Sequence, residues 1–242
     1  MQEYWIRQGE TLLHCLDSHI KDEGGAVPLL ISPGLSEPAE NYMETIHALW
    51  PQRCIVLAHR GRGKSSAPMS GYSLEDHVED IKAVVRFFNL QNFYLMGYSR
   101  GVSYALGYAL EETSKLKGLI LAEYPAVHKQ MGPGWADQYL QTFWGNERGS
   151  NLMAERVVRG IEQEAQQHSF GPMLHQIPCP TLILRGTGED SLLSKEEATR
   201  YQNEIRNTQV VVFEHTGHTL KESEFAKFIR TIRGYLQVEK KT

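Results

Sequence analysis

The sequence predicts an α/β domain built on a mostly parallel sheet of about eight strands. Short apolar runs alternate with stretches of helical periodicity along most of the 242 residues. Helices of roughly ten to fifteen residues between such runs are typical of βαβ units, whose strands lie parallel. Hydrophobic residues make up 41% of the chain, which is enough to bury a sizeable core. No repeat or low-complexity linker divides the sequence, so we expect one domain over residues 1–242.

Eight apolar runs, bounded by turn residues, are the predicted strands: residues 4–7, 11–16, 27–31, 54–58, 93–96, 118–122, 181–184 and 209–213. A tight turn joins the first two, so we expect these to pair antiparallel at an edge of the sheet. A charged, glycine-containing loop is predicted at residues 21–26. Ser73 has the pattern of a helix N-cap, with Asp76 three residues later. The predicted helices are residues 42–50, 74–88, 102–110, 195–205 and 222–236.

Residues from about 124 to 178 break this alternation, and we expect them to form a small helical lid over the carboxyl ends of the strands. Trp135, Tyr139 and Phe143 are spaced by four, which predicts one shared helix face. Two interpretations remain open: the face roofs a substrate pocket, or it docks the lid on the core. With Tyr98, these three aromatic residues are the candidate pocket residues.

Composition and charge narrow the range of partners. The formal net charge is −4, with both signs dispersed, so neither a nucleic-acid surface nor a charged tail is indicated. No eighteen apolar residues run together, and the start of the chain lacks the pattern of a signal peptide. Three isolated cysteines argue against a disulfide framework or a zinc site. We therefore expect a cytoplasmic protein with a small-molecule partner, and the oligomeric state stays open.

The strongest chemical signal is the segment Gly97-Tyr98-Ser99-Arg100-Gly101. A strand leads into it and a helix leads out of it, which is the context of a nucleophile elbow. A serine at the tip of so tight a turn is held in a strained conformation, and glycines on either side let helix and strand approach. Ser99 is therefore the candidate nucleophile.

A serine hydroxyl needs a base, and the base needs an acid to orient it. His218 lies between the last predicted strand and the closing helix, where it can lean over a neighbouring strand, and His215 competes with it. The loop after the strand at 181–184 offers Glu189 and Asp190, of which we favour the shorter Asp190. Glu123, at the end of the strand at 118–122, is a third candidate for the acid.

Acyl transfer also needs donors for the developing oxyanion. The backbone N–H of Arg100, directly after the nucleophile, is one candidate. The loop Ser32-Pro33-Gly34-Leu35 offers the other through the N–H of Leu35. The side chain of Arg100 has two open interpretations: it holds an anionic substrate group, or it points to solvent or pairs with an acid.

At these residues the sequence resembles the α/β-hydrolase superfamily, and the resemblance covers nearly the whole chain. It is carried by five segments: Pro33-Gly34-Leu35, Arg60-Gly61-Arg62-Gly63-Lys64-Ser65, Gly97–Gly101, Arg185-Gly186 with the acid and leucines that follow it, and Gly217-His218. The resemblance implies His218 rather than His215 as the base, and an acid after Arg185-Gly186 rather than Glu123. Because the acid loop is one residue longer than usual, Asp190 and Glu189 both remain open.

The resemblance also implies a reaction. A serine nucleophile is typical of enzymes that cleave ester-like bonds through an acyl-enzyme, without a metal or cofactor, and a modest lid suits a small or medium substrate. We therefore expect a carboxylesterase-like hydrolase with the triad Ser99, Asp190 and His218. Two alternatives remain: a carbon–carbon bond hydrolase or lyase with the same triad, and a ligand-binding protein with little turnover.

Overall fold

The computed structural model describes residues 1–18 and 27–238, so the loop predicted at residues 21–26 lies outside the described residues. The described strands, in chain order, are β1 (Gln2–Gln8), β2 (Thr11–Asp17), β3 (Leu29–Ser32), β4 (Cys54–Ala58), β5 (Phe93–Tyr98), β6 (Leu116–Ala122), β7 (Val127–His128), β8 (Phe143–Trp144), β9 (Glu147–Arg148), β10 (His168–Ser169), β11 (Thr181–Gly186) and β12 (Thr208–Phe213). Eight of them form one sheet in the order β1-β2-β4-β3-β5-β6-β11-β12. The α/β fold with about eight strands is confirmed.

The direction of the strands follows the lengths of their connections. β1 and β2 pair antiparallel at one edge, as predicted, because only a tight turn joins them. β2 is also antiparallel to β4, and every further pair in the sheet is parallel. Ser32 pairs with Gly97, Tyr98 with Ala122, and Ala122 with Leu184. The residues that follow β3, β5, β6 and β11 therefore emerge side by side at one edge.

The helices are α1 (Met43–Leu49), α2 (Leu74–Phe87), α3 (Gly101–Glu111), α4 (Trp135–Gln141), α5 (Gly149–Leu152), α6 (Glu155–Glu164), α7 (Lys195–Glu204), α8 (Leu220–Ser223) and α9 (Phe225–Val238). Short 3-10 helices cover Ala39–Tyr42, Thr113–Lys115 and Gly171–Gln176. The capping box at Ser73 and Asp76 is confirmed. The predicted closing helix is divided into α8 and α9, because the backbone at Glu224 leaves the helical region.

Both faces of the central strands are buried, which explains why these strands are almost continuously apolar. In β3, Leu30 packs in a core formed with α2, α3 and α7, whereas Leu29 and Ile31 pack in a second core formed with α1 and α9.

None of the helices within the described residues is long and apolar enough to cross a membrane.

The segment between β6 and β11 contains the short elements β7 to β10 and α4 to α6. Tyr139 of α4 is buried with Tyr72 and α6 in a third apolar cluster. The prediction that Phe143 shares a helix face with Trp135 and Tyr139 was wrong. α4 ends at Gln141, and Phe143 begins a small hairpin whose turn contains Gly145 with a φ of +61°. This turn carries the Phe143 ring outward, where it is 60% exposed.

Candidate active site

Ser99 lies on a sharp turn between β5 and α3. Its φ is +51°, in the left-handed region that a side chain normally avoids at a cost of about 1–3 kcal/mol. The Ser99 N–H donates to the carbonyl of Ala122 at 2.9 Å, so the end of β6 holds the turn in place. A strained residue between a strand and a helix is what the sequence predicts for a nucleophile elbow.

The two glycines beside Ser99 are required by close backbone contacts. A Cβ atom on Gly97 would lie 2.6 Å from the carbonyl oxygen of Gly101. One on Gly101 would lie 2.2 Å from the carbonyl oxygen of Ser32. A side chain at either position would therefore push α3 away from β5 or β3, and the elbow would open.

His218 follows β12 and is fixed to the nucleophile strand through Tyr98. The Tyr98 hydroxyl donates to the His218 carbonyl at 2.6 Å and accepts from the Leu220 N–H at 3.0 Å. The His218 side chain is 28% exposed, whereas His215 is an exposed residue whose N–H donates to Glu224. His218 is therefore the histidine that lines the same cavity as Ser99.

Glu123 faces the ring of His218. It directly follows β6, its side chain is fully buried, and its Oε2 lies 3.5 Å from His218 Nδ1. Three donors hold the carboxylate: the Gly186 N–H at 2.6 Å, the Ser191 hydroxyl at 2.9 Å and the Leu192 N–H at 3.0 Å. A buried carboxylate is tolerated where hydrogen bonds replace its water. The position resembles that of an acid that orients a catalytic base.

Asp190, the acid favoured from the sequence, does not face the ring nitrogen. Its Oδ2 accepts from the backbone N–H of His218 at 3.3 Å, and its carboxylate packs against Gly217. Asp190 and Glu189 are both exposed, and Asp190 lines the cavity. We therefore replace Asp190 by Glu123 in the candidate triad. The Asp190 side chain is thus directed toward the backbone of the base.

The loop after β3 lies against the nucleophile. A Cβ atom on Gly34 would lie 3.3 Å from Ser99 Cβ. The carbonyl of Leu35 accepts from Arg62 Nε at 2.7 Å, which fixes the loop from below. Over residues 1–18 and 27–238, neither the Leu35 nor the Arg100 N–H donates to another protein group. Both amides are therefore available for the oxyanion role predicted from the sequence.

The Arg100 side chain neither reaches solvent nor pairs with an acid among the described residues. It is 2% exposed, and its Nε donates to the Tyr104 hydroxyl at 3.2 Å. Its Nη2 donates to His128 Nε2 at 3.0 Å, so His128 carries its proton on Nδ1, which contacts the Ser103 hydroxyl at 2.9 Å. Burial and the adjacent Arg100 charge lower the pKa of His128 to about 2. A neutral histidine thus anchors the residue after the nucleophile.

This buried histidine predicts a pH dependence of stability. Below its ordinary pKa of 6.5, the unfolded chain binds a proton on His128 and the folded protein does not. The free energy of unfolding therefore falls as the pH drops from about 6 to 4.5, by about 1.4 kcal/mol per pH unit for this group. We expect His128→Gln to reduce the slope by that amount in urea denaturation. His215→Gln, at an exposed position, is the control, and equal slopes in all three proteins would contradict the assignment.

A cavity of about 540 Å³ opens above Ser99 and His218. Of the four predicted pocket residues, Tyr98 and Tyr139 line it. Trp135 packs on Tyr139 with ring centroids 5.2 Å apart, and the exposed Phe143 contacts Arg148. Trp144, which is not among these four, also lines the cavity: it follows Phe143 in the hairpin after α4, and its ring lies 5.4 Å from that of Tyr139. In the described part of the chain, no three His, Cys, Asp or Glu side chains are placed to hold a metal ion.

Comparison with known proteins agrees with the fold described above. The family model for the alpha/beta hydrolase fold matches residues 27–131, the stretch that contains the Gly34 loop and Ser99. The chain superimposes on an esterase from Exiguobacterium antarcticum, EaEST, with a TM-score of 0.77 and 22% identity, covering 98% of this chain and 100% of the other. This chain therefore has the alpha/beta hydrolase fold, and over residues 27–131 it is similar to that family.

Two further proteins to which this chain is similar are named for other activities. An enol-lactonase from Burkholderia xenovorans aligns with a TM-score of 0.80 and 16% identity, over 97% of this chain and 100% of the lactonase. In sequence, the N-formylmaleamate deformylase of Pseudomonas putida is 29% identical over 265 aligned positions, covering 96% and 97% of the two chains. These likenesses extend over the full fold.

Proposed function

We propose that this protein is a serine hydrolase that cleaves an ester-like bond of a small or medium substrate through an acyl-enzyme. One observation carries the proposal: a strained Ser99 and His218 line one cavity, and a buried carboxylate lies 3.5 Å from the far ring nitrogen of that histidine. This arrangement supports a serine triad of nucleophile, base and acid. The acid in this proposal is Glu123.

The first half-reaction forms the acyl-enzyme. Ser99 Oγ attacks the substrate carbonyl, and His218 Nε2 accepts the hydroxyl proton as the C–O bond forms. Glu123 stabilises the imidazolium through Nδ1, and their 3.5 Å separation shortens as the ring becomes charged. The N–H groups of Leu35 and Arg100 bind the oxyanion. When the tetrahedral intermediate collapses, the alcohol leaves with the proton from His218.

The second half-reaction releases the acid. A water molecule enters from the open side of the cavity, and His218 removes its proton as the oxygen attacks the acyl carbonyl. The same two amides bind the second oxyanion. Collapse then returns the proton to Ser99 Oγ, and the free enzyme is restored.

The cavity supports a substrate of limited size and mainly apolar character. Its volume of about 540 Å³ suits an acyl ester of modest length, and much of its wall is apolar, including Leu35, Met131, Tyr139, Trp144 and Leu192. A carbon–carbon hydrolase acting on an anionic substrate would be favoured by a pair of arginines in the wall. Arg100 is the one arginine among the wall residues described, and its guanidinium is turned toward Tyr104 and His128. The ester-like reaction is therefore preferred.

The setting that we propose is the reducing cytoplasm. Cys15, Cys54 and Cys179 are free and buried. Burial raises the pKa of the Cys54 thiol to about 12, so it stays protonated and unreactive at neutral pH.

Reaction with a fluorophosphonate probe tests the proposed function. Wild-type protein is expected to become labelled at Ser99, located by peptide mass spectrometry, and Ser99→Ala is expected to stay unlabelled. Ser103→Ala is the matched control, since Ser103 is a buried serine of α3, four residues after Ser99, and its hydroxyl contacts His128. A panel of p-nitrophenyl esters then ranks acyl lengths. A well-folded wild type without labelling would exclude an activated serine and favour the ligand-binding alternative.

A further inference from the structure

Glu37 connects the oxyanion loop to the segment that carries the base. Its Oε2 accepts from the Gly34 N–H at 2.7 Å and from the Tyr42 hydroxyl at 2.8 Å. Its Oε1 lies 2.8 Å from the ammonium of Lys221, which belongs to α8, three residues after His218. One carboxylate thus joins two loops that must keep a fixed separation during the reaction.

The Glu37 charge lies close to the place where the oxyanion forms. A Cβ atom on Gly34 would lie 2.9 Å from Glu37 Oε2 and 3.3 Å from Ser99 Cβ. Glu37 Oε2 and Ser99 Cβ are therefore no farther apart than the sum of these two distances. Glu37 also lines the cavity and is 20% exposed on its side chain, so water screens its charge only in part.

An unbalanced carboxylate at this position would oppose catalysis. The tetrahedral intermediate carries a full negative charge, and a second negative charge nearby raises its energy more than that of the neutral ester. Lys221 supplies the compensating charge. Its side chain is 7% exposed and lies over the rings of Tyr42 and Tyr98, at 5.0 Å and 5.7 Å from Nζ.

The Lys221 ammonium is held in its charged form by the carboxylates beside it. Burial alone would lower the pKa of Lys221, but the adjacent Glu37 and Glu222 carboxylates outweigh it and hold the pKa above its ordinary value. Lys221 therefore stays charged at neutral pH.

We propose that Lys221 is a positioning and charge-compensating residue, which neutralises Glu37 so that this carboxylate orders the Gly34 loop without opposing the oxyanion. The inference rests on the proposed function, because it concerns the same tetrahedral intermediate. It assigns a role to two residues outside the triad, and it predicts that removal of the Lys221 charge alone is worse than removal of both charges.

The test is a double-mutant comparison of ester hydrolysis. Lys221→Met keeps the apolar stem, removes the ammonium and should lower kcat about tenfold or more with little change in KM. Glu37→Gln keeps an acceptor for the Gly34 N–H and should change kcat by less than about threefold. The double variant Glu37→Gln with Lys221→Met should recover most of the activity lost in Lys221→Met, and Lys221→Arg should retain it.

Glu222 provides the matched control, since its carboxylate also pairs with Lys221 but accepts no bond from the oxyanion loop in the described residues. Adding Glu222→Gln to Lys221→Met should give no recovery. Suppose that the wild type labels at Ser99. Recovery by Glu222→Gln instead of Glu37→Gln would then overturn the role of the pair alone. So would a double variant of Glu37→Gln with Lys221→Met that is as slow as Lys221→Met. Absence of labelling in the wild type would overturn the proposed function, and this role with it.

Discussion

Replacing Ser99 by alanine is expected to lower kcat for an activated ester by about a millionfold, down to background. The reason is that the reaction loses its nucleophile, and neither the oxyanion amides nor the cavity can form an acyl-enzyme without it. His218→Ala should cost nearly as much, because an unassisted serine hydroxyl is a weak nucleophile at neutral pH. Steady-state kinetics with a p-nitrophenyl ester measures both losses.

The two losses are not expected to add. Nucleophile and base act as one unit, so the double variant Ser99→Ala with His218→Ala should be no slower than either single variant. His215→Ala, at the exposed histidine three residues away, is the control and should retain wild-type kcat. Turnover by Ser99→Ala within tenfold of wild type would show that another group performs the attack.

Steric constraints made the backbone path at Ser99 predictable. A serine between two glycines, with a strand before it and a helix after it, is compatible with few backbone paths, and the φ of +51° at Ser99 is one of them. The loop after β3 was predictable for the same reason, since parallel strands place their ends at one edge. The secondary structure of the segment between β6 and β11 was less predictable. A spacing of four allowed a helix through Phe143, but the turn at Gly145 ended it.

The acid could not be chosen from the sequence, because the choice depends on which way two side chains point. Glu123 and Asp190 both follow strands whose ends lie beside one another. Glu123 adopts a φ of +58°, which turns its side chain into the sheet edge beneath His218. The only available signal was position: Glu123 comes directly after the strand that pairs with β5, with no intervening loop residues. The longer loop at Asp190 gave that side chain more freedom than its resemblance to family members implied.

The choice between these acids predicts a large and asymmetric effect. Glu123→Gln is expected to lower kcat by about 10⁴-fold, as loss of the acid's charge does in serine triads. The amide nitrogen facing Nδ1 would donate to it, which leaves the proton on Nε2, where His218 cannot accept the proton of Ser99. Asp190→Asn should lower kcat less than about tenfold, because an amide oxygen still accepts from the His218 N–H.

Both substitutions keep the size of the side chain, so comparison of their kcat values at equal melting temperature isolates the charge that orients the base. Burial makes the contrast stronger: the Glu123 carboxylate is removed from water and held by three donors, whereas Asp190 is exposed and screened. A loss of a thousandfold or more in Asp190→Asn, with Glu123→Gln near wild type, would return the acid to the position that family resemblance implied. The larger loss of kcat that we expect in Glu123→Gln would instead assign the acid to the end of β6, where a fixed backbone holds it against the base.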